Sequence, residues 1–120
     1  MRSRWGFAGL APFLAVALLG NADYVLPTPD GGGPEPSPPS LVGALKGAYP
    51  KRLSVLPPGG RTPVAVMVTP ETSIFTEFGG VATVEQLVLE EQIEVWYTPQ
   101  TLAQHLSPPV AAVVRVPARK

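Results

Sequence analysis

Residues 63–69 read Pro-Val-Ala-Val-Met-Val-Thr, and this stretch decides the fold class. Val64, Val66 and Val68 alternate with Ala65, Met67 and Thr69. A period of two places the three valines on one face of a strand and argues that this face is buried. On a helix they would be spread around the circumference. Pro70 ends the run, because it lacks the N–H that a strand ladder needs.

The same signature recurs on both sides. Upstream lie Leu41 to Ala48, bent at Gly43 and Gly47, and Arg52 to Leu56, closed by the turn signal Pro57-Pro58-Gly59-Gly60. Downstream lie the short run Thr72 to Phe75, the turn Phe78-Gly79-Gly80, and Gln92-Ile93-Glu94-Val95-Trp96-Tyr97. In that last run Ile93, Val95 and Tyr97 share one face, and Glu94 and Trp96 share the other. The final run is Val110 to Val116, with Val110, Ala112, Val114 and Val116 on one face and Arg115 opposite. Thr83 and Gln86 have capping-box spacing, which predicts one short helical turn over Val84 to Leu89, held by packing of Leu87. Short β-branched runs separated by turns argue an all-β domain. No G-x-G-x-x-G fingerprint, P-loop or internal repeat is present.

The rest of the chain is organised differently. Of 120 residues, 16 are Pro and 12 are Gly, and nine of these fall in the fifteen residues from Leu26 to Ser40. Met1-Arg2-Ser3-Arg4 is basic, Phe7 to Gly20 is apolar, and Gly20-Asn21-Ala22 offers small residues at the positions a signal peptidase reads. Residues 1–22 are therefore expected to form a cleaved signal peptide. The apolar run is shorter than the roughly 20 residues that span a bilayer, although tilt would let a slightly longer segment serve as an uncleaved single-pass anchor. Residues 23–40 are expected to be a disordered Pro/Gly-rich linker, residues 41–117 the domain, and residues 118–120 a tail. Pro adds no donor and Gly maximises chain entropy, so the linker has little to gain from folding. Its alternative use is as a Pro-rich ligand for a recognition domain.

Charge and cysteine usage narrow the function classes. Loss of Arg2 and Arg4 takes two from nine basic residues and none from nine acidic ones, leaving a mature charge of about −2. That balance gives no electrostatic footprint for a phosphate backbone. There is no cysteine, so disulfides, thiol chemistry and Cys-based metal sites are excluded.

Val-Met-Val-Thr-Pro-Glu-Thr-Ser-Ile (66–74), then Leu87, then Ile93-Glu94-Val95-Trp96, then Val-Ala-Ala-Val-Val-Arg-Val (110–116) resembles small OB-fold-like domains of exported bacterial proteins, many of unknown function. Those domains read V-T-x-x-T-x-I, then L-x-x-G-x-x-V-x-V, then an alternating last strand, and the loop Leu106-Ser107-Pro108-Pro109 is similar too. Glu90 stands where the pattern has Gly. The resemblance implies a small five-stranded OB-like barrel with one short helix, placed outside the cytoplasm. It carries over no catalytic residue.

Candidate chemistry is sparse. His105 is the single histidine, and both aspartates, Asp23 and Asp30, precede the domain. A triad would have to recruit a Glu, and no G-x-S-x-G elbow exists. Glu71, Glu77, Glu85, Glu90, Glu91 and Glu94 could supply an acid/base pair or a weak Ca²⁺ site. No D-x-D-x-D-G loop accompanies them, and solvated charge is their expected role. No catalytic residue, metal ligand or cofactor is therefore expected. The aromatic residues are the better lead. Trp96, on the face of Glu94, is a candidate for partial exposure, and with Tyr49, Lys46, Lys51 and Arg52 it could line a ligand surface. The favoured alternative is a Trp that covers a barrel end. The sequence thus reads as an exported, monomeric, non-enzymatic binding module with an envelope component as partner. Single-stranded nucleic-acid binding and an N-terminally anchored envelope protein are the alternatives.

Overall fold

The computed structural model describes residues 24–117. The expected signal peptide (1–22) and tail (118–120) lie outside the described residues. Six strands form one sheet: β1 (Leu41–Tyr49), β2 (Arg52–Leu56), β3 (Val64–Met67), β4 (Ser73–Thr76), β5 (Gln92–Tyr97) and β6 (Ala111–Val116). The sheet order is β3-β2-β1-β5-β6-β4. All pairs are antiparallel except β4 with β6. The molecule is all-β, as the alternation predicts.

Period-two burial builds the core. Leu45, Leu53, Val55, Val66, Ile93, Val95 and Val114 are fully buried on one face of the sheet, joined by Ile74, Ala111 and Val116. At the β1–β2 crossing, Gly43 is buried, and a Cβ there would fall 2.3 Å from the Leu56 carbonyl oxygen. The backbones can approach this closely only without a side chain.

Instead of the expected small five-stranded barrel, six strands form an open sheet with two edges, β3 and β4. The reason lies in residues 68–72. Pro70 cannot continue the ladder, and the two threonines around it fold the chain into a local turn. Thr72 N–H donates to the Thr69 carbonyl at 3.0 Å, and Thr69 N–H donates to the Thr72 hydroxyl at 3.0 Å. The Thr72 hydroxyl in turn donates to the Ala111 carbonyl at 2.6 Å. The run is thereby split into β3, which meets the start of β6 through the isolated Met67–Val110 bridge, and β4, which pairs along β6.

Two helical expectations are revised. The turn over Val84 to Leu89 contracts to a 3₁₀ turn, Val84–Gln86, with Leu87 already extended. The Gln86 side chain accepts from Thr83 N–H at 2.9 Å, as the capping spacing predicts. A second helix, beyond the single short one expected, follows β5: α1 (Pro99–Gln104). Thr98 caps it by accepting from Thr101 N–H at 3.0 Å, and Pro99 occupies the first turn, where its missing donor costs nothing. His105 ends it in the left-handed region at φ 50°. The buried Thr101 hydroxyl accepts from Val110 N–H at 3.1 Å, which ties α1 to the start of β6. Glu90 also takes a left-handed φ, 75°, at the position where the OB-like pattern carries Gly.

The stretch expected to be a disordered linker has a packed half. Tyr24, Leu26 and the partly buried Ala112 cover a second apolar cluster of Phe75, Trp96 and Val113. Residues 28–35 are exposed. Ser40 N–H already donates to the Val95 carbonyl at 2.8 Å, so sheet pairing begins before β1.

Candidate binding groove

Tyr49, Lys51 and Arg52 converge because they sit in one hairpin. Tyr49 ends β1, Arg52 begins β2 and faces it in register, and Pro50-Lys51 makes the connection. The Arg52 guanidinium carbon lies 4.6 Å from the Tyr49 ring centroid, a cation–π distance. The ring lies against Gly47, where a Cβ would stand 3.0 Å from the Tyr49 Cε2 atom. Held in this way, Tyr49 remains 47% exposed.

Across the hairpin, Ala65 and Met67 come from β3 and Pro108 from the loop between α1 and β6. Together with Pro50 they enclose a groove of about 590 Å³, within the usual range of small-ligand sites. Its charged walls are Lys51 and Arg52, and no carboxylate lines it. Among the described residues the ion pairs are Lys46–Glu90 at 2.7 Å and Arg115–Glu94 at 2.7 Å. Among the described residues the cations of the groove thus have no acidic partner, and they leave an apolar trough with two positive charges at its hairpin end.

Trp96 does not reach this groove. It is 1% exposed, and the expectation of a partly exposed Trp96 is corrected. Period two does place it on the outer face with Glu94, but Tyr24, Leu26 and Ser37 cover that face. Its indole N–H donates to the Ser37 carbonyl at 2.7 Å. Tyr97 N–H donates to the Ser40 hydroxyl at 3.0 Å, and the Tyr24 hydroxyl donates to the Tyr97 carbonyl at 2.6 Å. The Arg115 guanidinium carbon stands 5.1 Å from the Trp96 ring, and Glu94 receives Arg115 Nε–H at 2.8 Å. Burial raises the Tyr24 pKa, and the Ser40 hydrogen bond opposes this in part. Burial raises that of Tyr97 as well.

The remaining candidates stay apart. His105 is exposed and borders a separate cavity of about 430 Å³ with Val64, Tyr97, Leu102 and Pro109. Asp30 is engaged in its own turn. Its carboxylate accepts from Gly32 N–H at 2.9 Å and from the Thr28 hydroxyl at 2.7 Å, and these bonds lower its pKa. Among the described residues no group of three or more His, Asp or Glu could hold a metal ion. No helix among them is long and apolar enough to cross a membrane.

The sequence reading missed Ala65, Met67 and Pro108. A signal existed for two of them: if Val64 and Val66 face inward, Ala65 and Met67 must face outward. Only the pairing of strands shows that they stand beside Tyr49 and Arg52. No protein family, curated protein or solved structure matches this chain.

Proposed function

We propose that this chain is an exported, non-enzymatic binding module whose ligand enters the Tyr49–Arg52 groove. The observation that carries the reading is the meeting of an exposed aromatic ring and two cations, without acidic partners among the described residues, with the apolar walls Ala65, Met67 and Pro108. Such a site suits a ligand with an apolar or ring face and an anionic group, because Arg offers a planar donor fork to carboxylate or phosphate. The N-terminal order of charges, apolar run and small residues supports export. An acidic glycan of the cell envelope combines the required features, since sugar rings stack on aromatic side chains and their acid groups would pair with Lys51 and Arg52.

The strand connections support an OB-like arrangement. β1, β2 and β3 form an antiparallel meander, β5 lies between β1 and β6, and the β3–β4 line runs parallel to β6. In OB-folds the face of the second and third strands, with the loops after the first strand and before the last, holds oligosaccharides or oligonucleotides. The groove here draws on those same segments. This support is fold-level analogy.

The test is titration of the protein with an acidic oligosaccharide, its neutral counterpart and oligothymidylate. The acidic glycan is expected to bind, and Arg52→Glu to weaken it at least about tenfold, the effect of losing one charge-assisted contact. Equal binding of the neutral sugar, or an unchanged affinity in Arg52→Glu, would reject the reading. Single-stranded nucleic acid is the second reading, favoured by the Arg52–Tyr49 stack. Two cations would give it a log–log salt slope of only about −1.4; a steep slope would require a basic surface beyond the groove.

A further inference from the structure

Residues 24–27 belong to no strand, yet they hold the Trp96 face closed. Tyr24 donates to the Tyr97 carbonyl. Val25 N–H donates to the Ser37 hydroxyl at 2.9 Å, and Ser37 N–H returns to the Val25 carbonyl at 2.8 Å. Tyr24 and Leu26 pack on Phe75, Trp96 and Val113, and Pro27 is buried. The residues that receive this clasp all lie at or beyond Ser37. The connection between the two, residues 28–35, is exposed throughout, and it approaches the body at Pro29, whose carbonyl oxygen lies 2.4 Å from where a Cβ of Gly79 would stand. Its own hydrogen bonds are local ones: Gly31 N–H to the Thr28 carbonyl at 3.1 Å, and Gly32 N–H and the Thr28 hydroxyl to Asp30.

We propose that the Tyr24–Pro27 clasp is exchangeable between copies, so that a second molecule of this chain docks its clasp on the Trp96 face and the two form a closed reciprocal dimer. Each clasp contact joins residues 24–27 to the body, and none requires that both belong to one molecule. Exchange breaks no pair of the six-stranded sheet. Because each copy gives its clasp to the same copy from which it receives one, the two sets of contacts are related by a two-fold axis and the assembly closes at two. The eight-residue connection gives the intramolecular clasp an effective concentration of about millimolar. The closed monomer therefore dominates at micromolar concentration, and the dimer becomes populated as the protein approaches that range. An open clasp leaves Trp96 and Phe75 uncovered, so exchange takes place while chains fold together.

The absence of cysteine makes the test direct. In full-length Val25→Cys/Ser37→Cys protein, refolded and oxidised at rising concentration, the disulfide should close within one chain at micromolar levels. Toward millimolar a covalent dimer should appear and stop at two chains. Monomer alone at every concentration, or an open ladder of larger species, would overturn the proposal. A second variant deletes residues 28–35 in a Trp5→Phe background, which leaves Trp96 as the reporter. It joins Pro27 to Pro36, and an extended Pro-Pro step cannot return Val25 to the Ser37 of its own chain. Exchange predicts a dimer at micromolar concentration whose Trp96 resists acrylamide as in the parent. A monomer with quenchable Trp96, or an unfolded product, overturns it.

Discussion

The molecule places an arginine against an aromatic ring twice, and the two sites have opposite fates. At Trp96 the ring is buried, its N–H is bonded to Ser37, and Arg115 is neutralised by Glu94. At Tyr49 the ring is half exposed and Arg52 has no ion pair among the described residues. The local motif is shared; what differs is whether another segment of the chain completes it. Residues 24–40 complete the first, and nothing in the described chain completes the second. The comparison separates a site that the chain itself completes from one that it leaves exposed.

The largest effect should come from breaking the completed site. Trp96→Ala removes a fully buried ring and its hydrogen bond and should cost about 3–5 kcal/mol, read as a lowered urea midpoint. A loss below about 1 kcal/mol would mean that the outer cluster contributes little and that the comparison is misdrawn.

A smaller effect should follow alkaline titration. Because the folded protein holds Tyr24 above its ordinary pKa of 10.0, its contribution is fully present below pH 10 and is lost as pH rises through the folded value. Stability should therefore fall above about pH 10 in the parent and fall less in Tyr24→Phe, which cannot ionise there. Identical alkaline profiles would remove the clasp hydroxyl from the account.

The smallest effect on stability belongs to the open site. Arg52→Gln should change unfolding free energy by less than about 1 kcal/mol, as for an exposed side chain with one cation–π contact. A cost of 2 kcal/mol or more would make the hairpin arginine structural and erase the contrast with Arg115.

Local patterns carried much of the fold. β5 spans the six residues whose alternation announces it, and Val66, Val95 and Val114 are buried as period two requires. The open sheet was not legible, because Pro70 marks an interruption but not where the chain goes next. That depends on Thr72 reaching Ala111, 39 residues away. The helix after β5 was legible and overlooked: Thr98-Pro99 is an N-cap followed by a first-turn proline. Tyr24 and Leu26 were masked by their Pro-rich surroundings, since composition argues against folding unless a partner surface waits elsewhere. At the candidate site, Tyr49, Lys51 and Arg52 could be read as neighbours in one hairpin. Met67 and Pro108 join them only through register and loop placement, which no local pattern encodes. The same long-range packing explains why alternation assigned Trp96 the correct face and the wrong exposure.

The split third run has one more consequence. A sheet with two edges can recruit stray strands from other molecules and seed aggregates, and this chain has no disulfide to restrain it. Here the edge strands β3 and β4 have only four residues each. Met67 N–H is taken by the Pro109 carbonyl, and β4 is covered where Thr76 N–H meets Gly80 and Ala82 N–H meets Ile74. The turn that keeps the barrel from closing therefore also shortens the rows of donors and acceptors through which one copy could template another, a form of solubility insurance written into backbone geometry rather than surface charge.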